Sequence, residues 1–370
     1  MQLSILADQL GASAGGGRFT TGFLRALLSD SEALERFEKL YILVTENQAT
    51  SELGLLPPWA RVIHRRFPSR LRQTFMSEWA SRMFPFADVA HGPFFYVFPS
   101  QGRHTLITLH DVSLLDDNFH APERNRVMRK MISHQVEKCA AIVCDSRAVL
   151  AQVQNQWPQM SNKCHAIYPG VDALNVRAEL GPNEIIDPAT ILVVGTIEPR
   201  KNYSIILDAY EKLLYELPGH KQRLVVVGKA GWMSEAVCKR LAALTSRGLV
   251  EWIQNATDAD LIKLYQKATV FTYLSVYEGF GYPPFEASYA SVPMVVSATS
   301  SIGEIWSGYA HCVEPTDVRG IVNGWKWALR LNGRERQAVV EKQKKRTLEF
   351  TWQRCVSEYV RLYEALALRP

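Results

Sequence analysis

The 370-residue sequence contains no segment of the kind that targets a chain to a membrane or carries it across one. A membrane-spanning helix needs about 18 or more consecutive apolar residues, and no run of that length is present. The first ten residues have no basic stretch and include Asp8, so they do not match a secretory signal peptide. We therefore expect a cytoplasmic protein.

Patterns for metals, disulfides and nucleic acids are also missing. The six cysteines include no C-x-x-C pair, so neither a zinc ribbon nor a disulfide framework is indicated. Five histidines have no carboxylate or cysteine partners at the spacing of metal ligands, namely His64, His91, His104, His120 and His134, and we predict no bound metal. A formal net charge of +5 is too small to indicate a nucleic-acid partner, and we predict none.

Short apolar runs alternate with helical patterns from end to end. Such runs suit strands buried on both faces, and helices between them indicate parallel sheets with crossover connections. The predicted strands are 4–8, 41–44, 61–64, 88–91, 105–110, 141–145 and 166–168 in the first half, and 191–195, 223–228, 249–253, 270–274, 294–297 and 311–313 in the second. The predicted fold class is α/β, with two Rossmann-like, doubly wound parallel-sheet domains.

A polar segment with two prolines and a glycine separates the two halves. We interpret 173–189 as a linker between an amino-terminal domain, 1–172, and a carboxy-terminal domain, 190–350. An amphipathic helix at 352–367 is expected to pack back on the first domain. Because ligands bind at the carboxyl ends of parallel strands, a cleft between the two domains is the expected place for a site.

A glycine-rich loop follows the first predicted strand, with Gly11, Gly15, Gly16 and Gly17 ahead of Arg18. Glycines let backbone N–H groups approach a phosphate, and a following helix, expected to start near residue 19, adds partial positive charge. The loop matches neither G-x-G-x-x-G nor the Walker A pattern. A flexible connection without a ligand is therefore an equal alternative.

A second glycine-containing loop, E-G-F-G-Y-P-P-F-E at 278–286, follows the predicted strand 270–274. Its two prolines suit the first turn of a helix, and Gly279 and Gly281 free the loop ahead of that helix. Glu278 lies at the loop entrance, and we expect Glu286 in the first helical turn. Taken singly, Glu278 is explained as a solvated charge and Glu286 as a carboxylate that favours the helix dipole. Together with the glycines, the pair indicates a site.

The E-x7-E spacing of Glu278 and Glu286 resembles the signature of retaining glycosyltransferases of family 4, which have the GT-B fold. Four other segments are similar to stretches of that family: V-G-T-I-E-P-R-K-N at 194–202, L-H-D-V-S at 109–113, Y-P-G-V-D at 168–172 and V-G-K-A-G-W at 227–232. The last of these recurs in bacterial members, often mannosyltransferases. The resemblance runs from the amino terminus to about residue 367 and is most specific in the second domain.

The resemblance implies a role for each matching residue. Lys201 and Arg200 would neutralise the diphosphate of a nucleotide sugar, and Glu286 would accept hydrogen bonds from its ribose. The catalytic positions would be His110, beside the sugar on the acceptor side, and Glu278, against the sugar and its phosphate. The full set of implied donor-binding residues is Gly16, Gly17, Arg200, Lys201, Gly279, Phe280, Gly281 and Glu286.

The implied activity is that of a hexosyltransferase, passing a sugar from a nucleotide-diphosphate donor to a growing glycan with retention of anomeric configuration. GDP-mannose is the leading donor, and the leading acceptor is a lipid-linked glycan in bacterial O-antigen, capsule or exopolysaccharide synthesis. Two basic side chains and aimed amides suffice for the leaving diphosphate, so no cofactor or metal is implied. Thr196 stands where many members have an arginine, which shifts the charge requirement onto Arg200 and Lys201.

Other functions stay open at this stage. A sugar-nucleotide epimerase, or a non-catalytic partner protein that kept the fold, would share most of these features. A metal-using transferase would need a D-x-D pair, which Asp258 and Asp260 form. The more ordinary interpretation of that pair is two acids in the first turn of a helix. Asn202, which follows Arg200 and Lys201, is likewise explained as the N-cap of a helix.

A basic segment lies in the first half of the chain, from Arg61 to Trp79. It has five arginines, with no acidic residue between Arg61 and Gln73, and apolar side chains interleave with them. A basic amphipathic stretch can bind an anionic membrane surface, and a solvated helix face is the alternative. Membrane contact would place the enzyme peripherally on the inner face of the plasma membrane, where a lipid-linked acceptor would be available.

Overall fold

The computed structural model describes residues 1–12, 15–44, 53–54, 56–64, 85–95, 103–120, 122–172, 190–218 and 222–369. The chain divides into two compact units. The first comprises Met1–Leu115, Pro122–Asp172 and Phe350–Pro370, and the second comprises Asp116–Ala121 and Ala173–Glu349. The predicted linker at 173–189 lies outside the described residues.

The first unit contains a sheet of seven parallel strands in the order β3-β2-β1-β4-β5-β6-β7. The strands are Gln2–Leu6 (β1), Lys39–Val44 (β2), Ala60–His64 (β3), Val89–Gly92 (β4), His104–Leu109 (β5), Ala141–Cys144 (β6) and Cys164–Ala166 (β7). Strand β1 pairs with β2 on one side and β4 on the other, so the winding of the chain reverses between β1 and β4. In doubly wound sheets, ligands bind beyond the carboxyl ends of the strands at such a switch point.

The second unit has the same kind of sheet, with six parallel strands in the order β10-β9-β8-β11-β12-β13. The strands are Thr190–Val194 (β8), Arg223–Val227 (β9), Val250–Ile253 (β10), Val270–Tyr273 (β11), Met294–Ser297 (β12) and His311–Val313 (β13). Here the switch point lies between β8 and β11, which are adjacent in the sheet. The segments that follow these two strands are therefore neighbours.

Twelve α-helices connect or flank the strands in the described part of the chain. They are α1 (Gly15–Ser29), α2 (Ser31–Leu34), α3 (Pro122–Lys138), α4 (Arg147–Gln156), α5 (Tyr203–Glu216), α6 (Glu235–Ser246), α7 (Asp258–Lys267), α8 (Tyr282–Tyr289), α9 (Ser300–Trp306), α10 (Val318–Arg330), α11 (Gly333–Thr347) and α12 (Trp352–Ala367). Within the described ranges, no helix combines the length and apolar character needed to cross a bilayer.

Burial on both faces explains why the apolar runs form these strands. Every residue of β6 and of β12 is fully buried, as expected for parallel strands covered by helices on each side. All thirteen predicted strands have an observed counterpart, most of them shifted by one or two residues. The predicted α/β class with two doubly wound parallel sheets is confirmed.

Helix α12, at the carboxyl terminus, packs on the first unit. Tyr359 and Tyr363 are fully buried and belong to the same apolar cluster as residues of α1 and β1. A Cβ added at Gly22 would lie 2.2 Å from Trp352, and one at Gly170 would lie 2.3 Å from the Trp352 backbone. Two glycines thus make room for the first residue of the helix.

A buried polar network joins α12 to the sheet beneath it. Nδ1 of His91 lies 2.6 Å from the Tyr363 hydroxyl, and Nε2 lies 2.9 Å from Oγ1 of Thr108. The Tyr359 hydroxyl lies 2.8 Å from the same Thr108 oxygen. Burial, with a smaller contribution from the charge of His110, lowers the pKa of His91 to about 3. His91 is therefore a neutral hydrogen-bonding core residue.

Candidate functional site

The switch point of the second sheet brings three predicted site residues together. Arg200 and Lys201 lie in the 3-10 turn Pro199–Lys201 after β8, and Glu278 lies in the loop after β11. The Glu278 carboxylate is shared, because Nζ of Lys201 lies 2.6 Å from Oε1 and Nη1 of Arg200 lies 2.6 Å from Oε2. Glu278 is 6% exposed, so water screens these ion pairs weakly.

Two residues that the sequence analysis missed complete this cluster. The Tyr273 hydroxyl accepts a hydrogen bond from Nζ of Lys201 at 2.5 Å and donates one to Oε1 of Glu278 at 3.0 Å. Oε1 of Glu198 lies 2.6 Å from Nε of Arg200. Tyr273 ends β11 and Glu198 follows β8, the two strands that precede the predicted site residues. Their positions at the carboxyl ends of these strands could have identified them from the sequence. Two cations are thus balanced by two carboxylates.

The pKa values reflect this coupling. Burial of Glu278 acts to raise its pKa, but the charges of Arg200 and Lys201 outweigh burial and lower the pKa to about 2. Burial lowers the pKa of Lys201, and the charge of Arg200 adds to this effect while Glu278 opposes it. Glu278 is therefore a carboxylate at neutral pH.

Serine hydroxyls fix the loop that carries Glu278. Oγ of Ser301 donates to the carbonyl oxygen of Glu278 at 2.9 Å and to that of Phe280 at 3.2 Å. The backbone N–H of Glu278 donates to Oγ of Ser300 at 3.2 Å. The loop therefore has a defined backbone path without any ligand contact being required.

Sterics also restrict this loop, which includes Gly279. Gly281 has a φ of +88°, and a Cβ there would lie 2.5 Å from Cδ1 of Ile302, so glycine is required. The ring of Phe280 stacks on that of Phe285 with centroids 4.9 Å apart, and Phe280 is 4% exposed. A ligand contact from Phe280 would thus have to come from its backbone.

Glu286 lies on α8 and contacts Tyr265, outside the cluster of Arg200, Lys201 and Glu278. The helix has its prolines in the first turn as predicted, but it begins at Tyr282, so Glu286 is in the second turn, not the first. Glu286 is 4% exposed, and its Oε2 accepts a hydrogen bond from the Tyr265 hydroxyl at 2.7 Å. Interaction with the dipole at the first turn therefore does not explain this buried carboxylate.

The acidic pair Asp258 and Asp260 lies at the start of α7. Asp260 lies in the first turn of α7, where its Oδ2 accepts hydrogen bonds from the backbone N–H of Thr257 at 3.0 Å and from the Thr257 hydroxyl at 2.7 Å. Asp258 and Asp260 thus lie in the first turn of the helix, as predicted, and Asp260 also takes part in its cap. Among the described residues, no group of three or more His, Cys, Asp and Glu is placed to hold a metal ion.

Asn202 occupies the predicted position immediately before α5 but does not cap the helix with its side chain. Its backbone has a φ of +61°, and its Nδ2 donates to the carbonyl oxygen of Pro315 at 2.5 Å. The predicted side-chain cap is therefore wrong. Left-handed backbone at this position, which asparagine tolerates, turns the chain from the 3-10 turn into the helix.

The V-G-K-A-G-W segment lies beside the loop after β8. Ile197 donates its backbone N–H to the carbonyl oxygen of Lys229 at 2.9 Å, and Gly231 donates to that of Ile197 at 2.9 Å. Nε1 of Trp232 donates to the carbonyl oxygen of Phe119 at 2.5 Å, which holds residues 116–121 in the second unit. The ring of Phe119 stacks on Tyr277, next to Glu278, with centroids 5.9 Å apart.

In the first unit, the predicted residues Gly16, Gly17 and His110 lie close together. Helix α1 begins at residue 15, not near residue 19 as predicted, so both glycines are in its first turn. A Cβ at Gly17 would lie 2.1 Å from the carbonyl oxygen of Ala12, which requires glycine. A Cβ at Gly16 would lie 3.3 Å from the Phe94 ring and 3.5 Å from Cδ2 of His110.

The ring of His110 is held at both nitrogens. Nδ1 lies 2.7 Å from Oδ2 of Asp145, and Nε2 lies 3.0 Å from the carbonyl oxygen of Pro93. Burial acts to lower the pKa of His110, but the charge and hydrogen bond of Asp145, with smaller effects of Pro93 and Asp111, raise it overall. Asp145, which directly follows β6, is not among the residues predicted from the sequence.

The basic segment from Arg61 to Trp79 is described only at residues 61–64, which belong to β3. The rest of it lies outside the described residues, and the proposed membrane contact stays a prediction.

The structure places the ten predicted site residues in two clusters, one in each unit, plus Glu286 beside Tyr265.

Comparison with known sequences points to one family. The profile described as "Glycosyl transferases group 1" matches residues 177–346. The O-antigen chain mannosyltransferase B of Escherichia coli is 26% identical over 286 residues, covering 75% of this chain and 74% of that protein. The serotype-specific mannosyltransferase WbdA of Escherichia coli is 32% identical over 142 residues, covering 37% of this chain and 17% of that protein.

Solved structures resemble the whole described fold. Anabaena HepE in complex with UDP and glucose has a TM-score of 0.72 at 14% identity, covering 99% of this chain and 100% of that chain. Sucrose-phosphate synthase from Thermosynechococcus elongatus has a TM-score of 0.71 at 16% identity, covering 99% of each chain. Both have the GT-B fold. The chain therefore has the GT-B fold. Residues 177–346 match the group 1 glycosyltransferases, and this similarity supports a hexosyltransferase.

Proposed function

We propose that the enzyme transfers a sugar from a nucleotide-diphosphate donor to a growing glycan, with GDP-mannose as the leading donor. The observation that carries the proposal is the buried cluster of Arg200, Lys201 and Glu278 at the switch point of the second sheet. Mannose is favoured because two similar Escherichia coli proteins are named mannosyltransferases. UDP-sugars are the next donors to test, since HepE, of similar fold, holds UDP and glucose.

The chemistry of the leaving group fits the cluster. Departure of a nucleoside diphosphate builds negative charge on phosphate oxygens, and fixed cations in a poorly hydrated site stabilise that charge. The side chains of Arg200 and Lys201 are 18% and 11% exposed, so both are poorly hydrated yet within reach of a ligand. We propose that they exchange part of their pairing with Glu278 for the diphosphate, and that no metal or cofactor takes part.

The remaining roles follow the family resemblance. We propose that Glu278 contacts the sugar and its phosphate as the bond breaks, that Glu286 binds the ribose, and that His110 acts on the acceptor side. Retention of anomeric configuration is part of the same proposal. Backbone amides for the phosphate and sugar are assigned to Gly16, Gly17, Gly279, Phe280 and Gly281.

The proposed acceptor is a glycan, lipid-linked, in bacterial O-antigen, capsule or exopolysaccharide synthesis. The name of the Escherichia coli O-antigen chain mannosyltransferase B supports this class of product. We propose a cytoplasmic enzyme with peripheral contact to anionic lipid at the inner face of the plasma membrane, through the segment from Arg61 to Trp79. Sedimentation with anionic liposomes that weakens as salt rises would support this contact.

A donor screen tests the proposed function. Thermal denaturation with GDP-, UDP- and dTDP-sugars should show stabilisation by one base, because a ligand at about 100 times its Kd adds about 2.7 kcal/mol. The stabilising donor should then be consumed in excess EDTA when a glycan acceptor is supplied, with the new linkage retaining the donor's anomeric configuration. Absence of stabilisation by every donor, or activity lost in EDTA and restored by manganese, would overturn the proposal.

The same assay separates the alternative activities. A sugar-nucleotide epimerase would convert the donor without an acceptor, giving a new nucleotide sugar instead of a glycan product. A non-catalytic partner would bind the donor without converting it. The intact cluster of Arg200, Lys201 and Glu278 disfavours the non-catalytic partner, and the identity of the product separates the transferase from the epimerase.

A further inference from the structure

His110, in the first unit, has hydrogen-bond acceptors at both ring nitrogens. The carbonyl oxygen of Pro93, 3.0 Å from Nε2, can only accept a hydrogen bond. The carboxylate of Asp145, 2.7 Å from Nδ1, also accepts when it is ionised. Satisfying both contacts requires a proton on each nitrogen, and a ring with two N–H groups is an imidazolium cation.

The position of the shared proton follows from ordinary acidities. A free imidazole holds its proton more tightly than a free carboxylate does, by about 2.6 pKa units. In this arrangement the proton therefore belongs to His110, and Asp145 is the anion of the pair. Side-chain exposures of 15% for His110 and 6% for Asp145 leave little room for water to compete.

The ring is also fixed in orientation. Phe19 of α1 packs against it, with ring centroids 5.0 Å apart, and Cδ2 of His110 faces Gly16. Among the described residues, the charged groups that act on His110 are Asp145 after β6 and the adjacent Asp111, and both favour the protonated ring. His91 on β4 is also near but is neutral, so it adds no opposing charge.

We propose that Asp145 is a positioning residue that holds His110 as an imidazolium cation beside the first turn of α1. Neither ring nitrogen is then available to take a proton from an acceptor hydroxyl. His110 acts as a fixed positive charge next to Gly16, adding to the partial charge of the helix N-terminus. The catalytic meaning of this charge rests on the proposed function, but the protonation state does not.

Nuclear magnetic resonance of ring-labelled histidine in the full chain tests the proposal directly. The His110 signal is assigned by its loss in His110→Gln. In the wild-type protein, we expect the His110 signal to titrate above the ordinary value of about 6.5. A His110 signal that titrates at or below about 6.5 would overturn the proposal.

Asp145→Asn provides the matched variant, because it keeps an oxygen acceptor for Nδ1 and removes the charge. The His110 titration midpoint should fall by at least about one pH unit, equivalent to a tenfold change in proton affinity. Asp111→Asn is the control, since it removes a neighbouring charge that does not bond to the ring, and its effect should be smaller. An unchanged midpoint in Asp145→Asn, or an equal shift in Asp111→Asn, would overturn the assignment.

The dependence of turnover on pH gives a second readout. Wild-type turnover should decline as pH rises through the raised pKa of His110, and in Asp145→Asn this decline should begin at lower pH. A merely structural role for Asp145 would lower turnover equally at every pH, and that result would contradict the positioning role. If resonance shows the cation but no sugar donor is turned over, the ion pair stands and the proposed function fails.

Discussion

Glu278 connects the cluster in the second unit, because Arg200 and Lys201 both bind its carboxylate. We predict that Glu278→Gln lowers kcat strongly, since Arg200 and Lys201 lose the group that orients them. Affinity for the free nucleoside diphosphate should stay the same or increase, because a carboxylate that competes with phosphate has been removed. Steady-state rates and calorimetric titration of the same variant check both parts.

Glu286→Gln is the contrasting change on the same motif. If Glu286 binds the ribose, its replacement should weaken both donor and free nucleoside diphosphate by about ten- to a hundredfold, the value of about 1.5–3 kcal/mol for a charged hydrogen bond. Tyr265→Phe serves as the control, because it removes the hydrogen bond to Glu286 and keeps the carboxylate. Equal loss of nucleotide affinity in the Glu278 and Glu286 variants would contradict this division of roles.

Residue identities at the cluster were predictable to different degrees. Arg200, Lys201 and Glu278 belong to segments whose spacing is informative by itself. Tyr273 and Asp145 are not predictable in this way, because each acts through a partner far along the chain that is known only once strand order is known. The contact of Tyr273 with Lys201, for example, joins residues that are 72 positions apart in the sequence. Glu198 pairs with Arg200 inside the matching segment 194–202, so its partner was available from the sequence.

At the scale of single elements, the start of α1 gives a direct test of steric fit. Gly17→Ala should destabilise the first unit, because its Cβ would lie 2.1 Å from the backbone oxygen of Ala12 and the chain must shift. A cost of about 1–3 kcal/mol is expected from overpacking of this kind. Gly16→Ala is the matched control, since its nearest neighbour, the Phe94 ring, would be 3.3 Å away and needs to move only slightly.

Urea denaturation of the two alanine variants measures the difference. The midpoint for Gly17→Ala should fall clearly below that for Gly16→Ala. Equal stability of the two variants would show that the turn before α1 adapts and that glycine at position 17 is not required by sterics.

Element boundaries show where sequence patterns lose information. Strand cores were predicted well because fully buried apolar runs such as β6 and β12 have few alternative structures. The start of α1 was placed too late because glycines normally disfavour helix, yet here they occupy its first turn where close backbone approach favours them. Glu286 is predicted in the first turn of α8 but lies in the second, because the exact start of a helix depends on local geometry that the sequence pattern does not specify.

For the whole molecule, the pKa shifts predict how stability depends on pH. His91 has a folded pKa of about 3, below its ordinary value, so its contribution is complete above about pH 6.5 and is lost as pH falls toward 3. Glu278, with a folded pKa of about 2, loses its contribution at lower pH, between about 4.5 and 2. His110 acts in the opposite sense, because its raised pKa stabilises the fold at low pH and this stabilisation is lost as pH rises through that pKa.

His91→Gln isolates the first of these effects, since glutamine can hydrogen-bond within the network but does not titrate. As pH falls from 6.5 to 4, the free energy of unfolding should decrease more steeply for the wild-type protein than for His91→Gln. The difference between the two slopes should be up to about 1.4 kcal/mol per pH unit. Urea denaturation across this range measures both slopes. Identical slopes would show that His91 is not the buried neutral group that loses stability in acid.

The proposed function depends most on the cation pair of the second unit, Arg200 and Lys201, binding the diphosphate of a nucleotide sugar. The most direct test compares the Kd of a nucleoside diphosphate with that of the monophosphate of the same base, in the wild-type protein and in Lys201→Met. We predict that the wild-type protein prefers the diphosphate and that Lys201→Met loses about ten- to a hundredfold of diphosphate affinity with little change for the monophosphate. Lys212→Ala, at a surface ion pair on α5, should leave both values unchanged. An equal preference for the diphosphate in the wild-type protein and Lys201→Met would contradict the account.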